Sequence, residues 1–231
     1  MMNSPYEYSI TLPKNIENDR KYPVIITLHG IGYDERFLMD AVGELTEDYI
    51  IIGVRGDLPY GKGYAYYSLK GYGNPERDQF DSAVEKLSYY LEYAFKTYPI
   101  DLKRVYLIGF SQGAILSMCL ALVLGETIKG IIPMNGFIPE FIKTEYPVKP
   151  IDHLSVFLCQ GENDPIFPLH VGQANYEYFR SKASSVKYVI YPTGHKVTSN
   201  NKSDVVAWLR NELAMSDQAN SSGNQNKVSS L

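Results

Sequence analysis

The chain has 231 residues, 45% of them hydrophobic, and a formal charge of −4 from 22 Lys and Arg against 26 Asp and Glu. That length supports one well-buried core, and the lack of a basic excess argues against a nucleic-acid partner. The first residues, Met1-Met2-Asn3-Ser4-Pro5-Tyr6-Glu7, carry neither a basic stretch nor an apolar core, and the longest apolar run, 114–124, is too short to span a bilayer, so a cytoplasmic protein without integral membrane association is expected.

In chain order, an opening strand is expected over 6–12, followed by Val24-Ile25-Ile26-Thr27-Leu28 and a strand ending at Val54. Residues 56–73 crowd Tyr60, Tyr64, Tyr66, Tyr67 and Tyr72 among glycines. They read either as the wall of an amphipathic pocket, since tyrosine joins a flat apolar face to a polar tip, or as a surface loop. A helix is expected over 75–98, with Asn74 as N-cap, Pro75 in its first turn, Pro99 as its stop, and Phe80, Val84, Leu87, Leu91 and Phe95 on its buried face. Strands ending at Ile108, Ile132, Gln160 and Tyr191 alternate with further helices, and a closing helix holds Val205, Val206, Trp208 and Leu209. Such alternation argues an α/β class with a mostly parallel central sheet and helices on both faces. Residues 1–215 are expected to form a single domain. The Ser-, Asn- and Gln-rich segment 216–231 has little apolar surface to offset its ordering entropy and is expected to be a disordered tail. Cys119 and Cys159 fall within core elements and lack disulfide-framework or metal-ligand spacing, so both are expected to be reduced, with no metal and no cofactor.

The chemistry is concentrated in Gly109-Phe110-Ser111-Gln112-Gly113, where the strand Val105-Tyr106-Leu107-Ile108 turns abruptly into an apolar helix. In a G-x-S-x-G turn that tight, side chains at the flanking positions collide, so glycine occupies both while the serine is lifted clear as a nucleophile. A bare serine is weakly nucleophilic at neutral pH and needs a base, and the base needs an acid to orient it. In the α/β-hydrolase arrangement both follow in the order acid, then histidine, at strand ends. The loop Gly161-Glu162-Asn163-Asp164-Pro165 leaves the strand 155–160, and Asp164, stiffened by the following proline, is favoured over Glu162. Of the four histidines, His195, after Pro192-Thr193-Gly194, has both the order and the strand-end position. His29 is better placed to hold a loop, His153 precedes a strand, and His170 opens a helix at the site rim. Acyl transfer also needs donors for a developing oxyanion, and the backbone N–H groups of Gln112 and of Ile31, in the loop His29-Gly30-Ile31-Gly32-Tyr33, are the candidates.

These four spaced motifs resemble those of the phospholipase/carboxylesterase group of α/β-hydrolases, small enzymes that include the acyl-protein thioesterases. Leu28-His29-Gly30-Ile31-Gly32 is similar to that group's oxyanion motif, Gly109-Phe110-Ser111-Gln112-Gly113 to its nucleophile motif, Gly161-Glu162-Asn163-Asp164-Pro165-Ile166-Phe167-Pro168 to its acid loop and Gly194-His195 to its base. The resemblance covers residues 6–213 and implies an α/β-hydrolase fold without a substantial cap domain, and ester or thioester hydrolysis by Ser111, Asp164 and His195. The chain departs from the group in carrying Phe167 where a small aliphatic residue is usual, and Tyr64-Ala65-Tyr66-Tyr67 where a tryptophan-containing wall is usual. Met134-Asn135-Gly136-Phe137-Ile138-Pro139, after the strand that follows the nucleophile helix, is expected to form part of the site wall, so Tyr64, Tyr66, Tyr67, Phe137 and Phe167 are the candidate substrate-binding residues. The leading reading is a carboxylesterase for small or medium acyl esters, followed by a thioesterase for acyl-proteins or acyl carriers. A non-catalytic binding protein of the same fold is the alternative from another class. The partner is a small-molecule substrate, and monomer and homodimer are both open.

Overall fold

A computed structural model of the chain describes residues 3–17, 19–71 and 73–228, with side chains up to 218; Tyr72 and 229–231 therefore lie outside the described residues. From the N-terminus come β1 (Tyr8–Thr11), β2 (Tyr22–Leu28) and β3 (Ile50–Val54), then two short hairpins, β4 (Leu58–Tyr60) with β5 (Gly63–Ala65) and β6 (Leu69–Gly71) with β7 (Asn74–Pro75). These lead into α1 (Arg77–Thr97), β8 (Ile100–Phe110), α2 (Gln112–Leu124), β9 (Gly130–Met134) and the short α3 (Glu140–Glu145). The last elements are β10 (Ser155–Gly161), α4 (Leu169–Arg180), β11 (Ser185–Tyr191) and α5 (Ser199–Val228).

Among the described residues seven strands form the main sheet, in the spatial order β1-β3-β2-β8-β9-β10-β11. Only β1 runs antiparallel to its neighbour, pairing Tyr8 with Val54 and Thr11 with Ile51; the remaining pairings are parallel. Parallel neighbours need crossovers, and the helices that supply them cover both faces, which is why β2, β3, β9 and β10 are buried along their whole length. Strand alternation then divides the apolar residues between two cores. Val24, Ile26, Val105, Leu107, Ile131 and Val156 face α1 and α2, whereas Ile25, Tyr106, Ile108, Ile132 and Phe157 face Trp208 and Leu209 of α5.

The buried stripe of α1 is Phe80, Ala83, Val84, Leu87, Tyr90, Leu91 and Ala94, with Phe95 only partly buried. The helix begins two residues later than the sequence pattern predicts: Asn74 and Pro75 pair with β6, the Glu76 N–H donates to the Ser68 carbonyl (2.8 Å), and Glu76 occupies the N-cap position. The hairpin's hydrogen bonds take precedence over the local capping signal. Residues 112–122 of α2 are buried on every side, because this helix lies between the sheet and α1. α5 continues as helical backbone into the segment expected to be a tail, as far as Val228. Its first turns are fixed against the sheet by Val205, Val206, Trp208 and Leu209. Among the described residues no helix is long and apolar enough to cross a membrane.

Candidate active site

The parallel strands point their C-terminal ends to one edge of the sheet, so the loops after β2, β8, β9, β10 and β11 gather there. Ser111 sits between β8 and α2 at φ 53° and ψ −115°, a backbone region that L-residues rarely adopt. Gly109 and Gly113 make the turn possible. A Cβ at Gly109 would stand 2.1 Å from the Gly113 carbonyl oxygen, and one at Gly113 would stand 2.0 Å from that of Leu28. The Ser111 N–H donates to the Met134 carbonyl (3.0 Å), anchoring the turn to the end of β9.

His195 Nε2 lies 2.9 Å from Ser111 Oγ, and His195 Nδ1 lies 2.7 Å from Asp164 Oδ2. Because a carboxylate can only accept, Nδ1 carries the proton and Nε2 is the acceptor that faces the serine hydroxyl. The imidazole is held between the rings of Phe110 and Phe167, whose centroids are 4.9 and 5.5 Å away. The Asp164 side chain is wholly buried. That burial alone would raise its pKa, but the Phe167 N–H, His195, Asn135 and the Ile166 N–H all donate to the carboxylate and together hold it below the usual aspartate value. Glu162, the competing carboxylate, is exposed, and its N–H is engaged by the Tyr191 carbonyl.

The loop after β2 is braced by His29, which is buried. His29 Nε2 accepts the Gly56 N–H (3.0 Å), so Nδ1 is the protonated nitrogen and donates to the Gly30 carbonyl (2.7 Å). Burial, opposed in part by that bond to Gly30, pushes His29 below the ordinary imidazole range. Tyr33 N–H also donates to the Gly30 oxygen (3.2 Å). In a trans peptide the carbonyl and the next N–H point opposite ways, so fixing the Gly30 oxygen directs the Ile31 N–H away from His29. Neither the Ile31 nor the Gln112 N–H meets an acceptor among the described residues, and both residues line the cavity that holds Ser111 and His195.

That cavity encloses about 500 Å³, and among the described residues no Asp, Glu, Lys or Arg lines it. Of the expected substrate-binding residues, Tyr67, Phe137 and Phe167 are in its wall. Tyr64 and Tyr66 are not, and they correct the sequence reading. Tyr64 lies against the Arg55 guanidinium, 4.5 Å from the ring centroid, and its backbone pairs with Gly32 and Tyr33. Tyr66 is buried against His29, with its hydroxyl donating to the Val54 carbonyl (2.7 Å). Tyr66 and Tyr67 thus leave the chain on opposite sides, one toward β3 and the other toward Phe80 and the cavity.

Two side-chain roles at the site were not legible in the sequence. The Gln112 side chain accepts the Tyr66 N–H and donates to the Tyr67 carbonyl, each at 2.7 Å, clamping the cavity wall to the serine turn. Asn135 donates to Asp164 Oδ2. Its neighbour Gly136 makes the Asn-Gly pair that marks a positive-φ turn, which was the available signal.

The model of the phospholipase/carboxylesterase family matches residues 15–212 of this chain. A putative hydrolase, MhqD of Bacillus subtilis, is 23% identical over 190 residues, covering 82% of this chain and 94% of that protein. Acyl-protein thioesterase 1 of Debaryomyces hansenii is 25% identical over 157 residues, covering 64% of this chain and 67% of that one. In fold, the chain is similar to a Bacillus cereus carboxylesterase, with a TM-score of 0.78 at 21% identity over 90% of this chain and 95% of the other.

Proposed function

The chain belongs to the phospholipase/carboxylesterase family, a family of serine hydrolases, and from that premise we propose that it hydrolyses small to medium uncharged acyl esters through an acyl-enzyme on Ser111. The observation that carries this reading is the continuous relay from Ser111 Oγ through His195 to the buried Asp164, opening onto an uncharged cavity. His195 Nε2 takes the hydroxyl proton as Oγ adds to the ester carbonyl, and the new oxyanion receives the Ile31 and Gln112 N–H groups. His195 then passes the proton to the departing alkoxide, and a water molecule repeats the cycle on the acyl-enzyme. Tyr67, Phe137 and Phe167 bind the apolar parts of the substrate. Residues 1–215 form the single catalytic domain, and no cofactor takes part. The buried, unpaired Cys119 and Cys159 support a reducing, cytoplasmic setting.

A thioesterase activity is the second reading, favoured by the similarity to acyl-protein thioesterase 1. A purely binding role fares worse, since it has no use for a serine held at φ 53°, which costs about 1–3 kcal/mol. The test is turnover of p-nitrophenyl esters of graded acyl length, with an acyl-thioester in parallel, by the protein and by Ser111→Ala. Turnover that vanishes in the variant supports the serine mechanism, and the preferred leaving group separates esterase from thioesterase. A folded protein that turns over none of them would refute the proposal.

A further inference from the structure

Asn135 is a buried polar side chain that the reaction scheme above leaves unused. It follows β9 directly, and among the described residues it shares with Ser111 alone the distinction of being a non-glycine at positive φ, 53°. Its N–H donates to the Cys159 carbonyl (2.9 Å), and its Nδ2 donates to Asp164 Oδ2 and, at 3.5 Å, to the Gly194 carbonyl. The preceding residue, Met134, accepts the Ser111 N–H (3.0 Å). One strand end therefore touches the loops of the serine, the aspartate and the histidine.

The carboxylate of Asp164 is divided between two kinds of donor. Oδ1 accepts the N–H groups of Ile166 (2.7 Å) and Phe167 (2.9 Å), both from its own loop. Oδ2 accepts from His195 and from Asn135, which come from different strand ends. An ionised carboxylate has about four acceptor positions, so this set leaves none free. Without Asn135, the only contact fixing Oδ2 would be the imidazole it is meant to aim. With it, a turn of the carboxylate about its Cβ–Cγ bond, which already breaks the two Oδ1 bonds, also breaks a second bond at Oδ2.

We propose that Asn135 is a positioning residue for the reaction: by occupying one side of Asp164 Oδ2, it keeps the other side directed at His195 Nδ1 and so keeps Nε2 in reach of Ser111. The inference rests on the roles proposed above for those three residues. It also accounts for the residue type. Asparagine tolerates the left-handed backbone and offers a neutral donor, whereas aspartate in the same place tolerates the backbone but sets a second carboxylate against the first. The titratable group facing Asp164 is His195, from the loop after β11; the Asn135 amide and the Ile166 and Phe167 N–H groups complete its surroundings.

The test compares Asn135→Gly, Asn135→Asp and Ser111→Ala with the unaltered protein, measuring kcat and KM on a p-nitrophenyl ester across pH, and thermal melting. Glycine preserves the positive φ and removes only the side chain. It is expected to lower kcat by about 10- to 100-fold, as for one lost hydrogen bond to a charged group, with KM little changed. Asn135→Asp is expected to be worse than the glycine variant above neutral pH and to approach it as the medium is acidified, because a proton shared between the two carboxyls rebuilds a donor to Oδ2. A glycine variant with the original kcat, or an aspartate variant that matches glycine at every pH, overturns the proposal. So does failure of both variants to fold, which would make Asn135 a purely structural residue. If Ser111→Ala retains full turnover, the site assignment itself fails; loss in Ser111→Ala with full rates in both Asn135 variants sinks only the role of Asn135.

Discussion

Replacing Gln112 by leucine tests whether the cavity wall is held by the serine turn. The substitution keeps the backbone N–H of residue 112 and most of the side-chain volume, but it removes both ends of the clamp. In the structure Oε1 takes the Tyr66 N–H and Nε2 gives to the Tyr67 carbonyl, each at 2.7 Å, in a side chain that is 2% exposed. Leucine leaves one buried donor and one buried acceptor unpaired, at about 1–3 kcal/mol each and about 2–6 kcal/mol together. At about 2–4 °C per kcal/mol for a chain of this size, melting should fall by roughly 4–24 °C. Because Tyr67 lines the cavity, KM and the preference among acyl lengths should change more than kcat. Gln112→Glu separates the two halves of the clamp: it keeps an acceptor for Tyr66, while its second oxygen faces the Tyr67 carbonyl and a negative charge is added at a buried position. The assays are thermal unfolding and the graded ester panel. A leucine variant that melts with the original protein and keeps the original chain-length profile would show that the clamp does not hold the wall.

Ser111→Gly should abolish turnover yet leave the protein as stable as before or up to about 2 kcal/mol more stable. It relieves an L-residue held at φ 53°, and the greater chain entropy of glycine offsets part of the gain; urea unfolding would check this, and a clear loss of stability would contradict the strain argument. Glu212, buried on α5, has its pKa raised chiefly by that burial, against the opposing pull of a Ser155 hydrogen bond and the Lys129 charge. A carboxyl whose folded value lies above its unfolded one favours folding while protonated and loses that contribution as pH rises through the folded value. Glu212→Gln should therefore melt higher than the original protein at neutral pH. The gain should disappear below the unfolded carboxyl value of about 4.3, and a gain of constant size across pH would rule out this cause.

Sequence alone determined what depends on local stereochemistry and chain order. The G-x-S-x-G turn is decided within five residues, because Gly109 and Gly113 must let backbone atoms approach within van der Waals distance. The apolar strands announced themselves by composition, and the parallel sheet followed from their alternation with helices. Parallel strands must deliver their following loops to one edge, so the order Ser111, Asp164, His195 was enough to bring these residues to the same place. Tertiary structure decided the directions in which side chains leave the backbone. Tyr64, Tyr66 and Tyr67 are nearly consecutive and chemically alike, yet one lies on Arg55, one on His29 and one on the cavity. Their fate was set by hydrogen bonds with Gly32, Tyr33 and Gln112, residues remote in sequence. The same holds for Asn74 and Pro75, drawn into a hairpin, and for Asn135, whose partner Asp164 lies 29 residues away. A side chain in an irregular segment has no period to declare its face; only the surfaces that the folded chain brings against it can choose one.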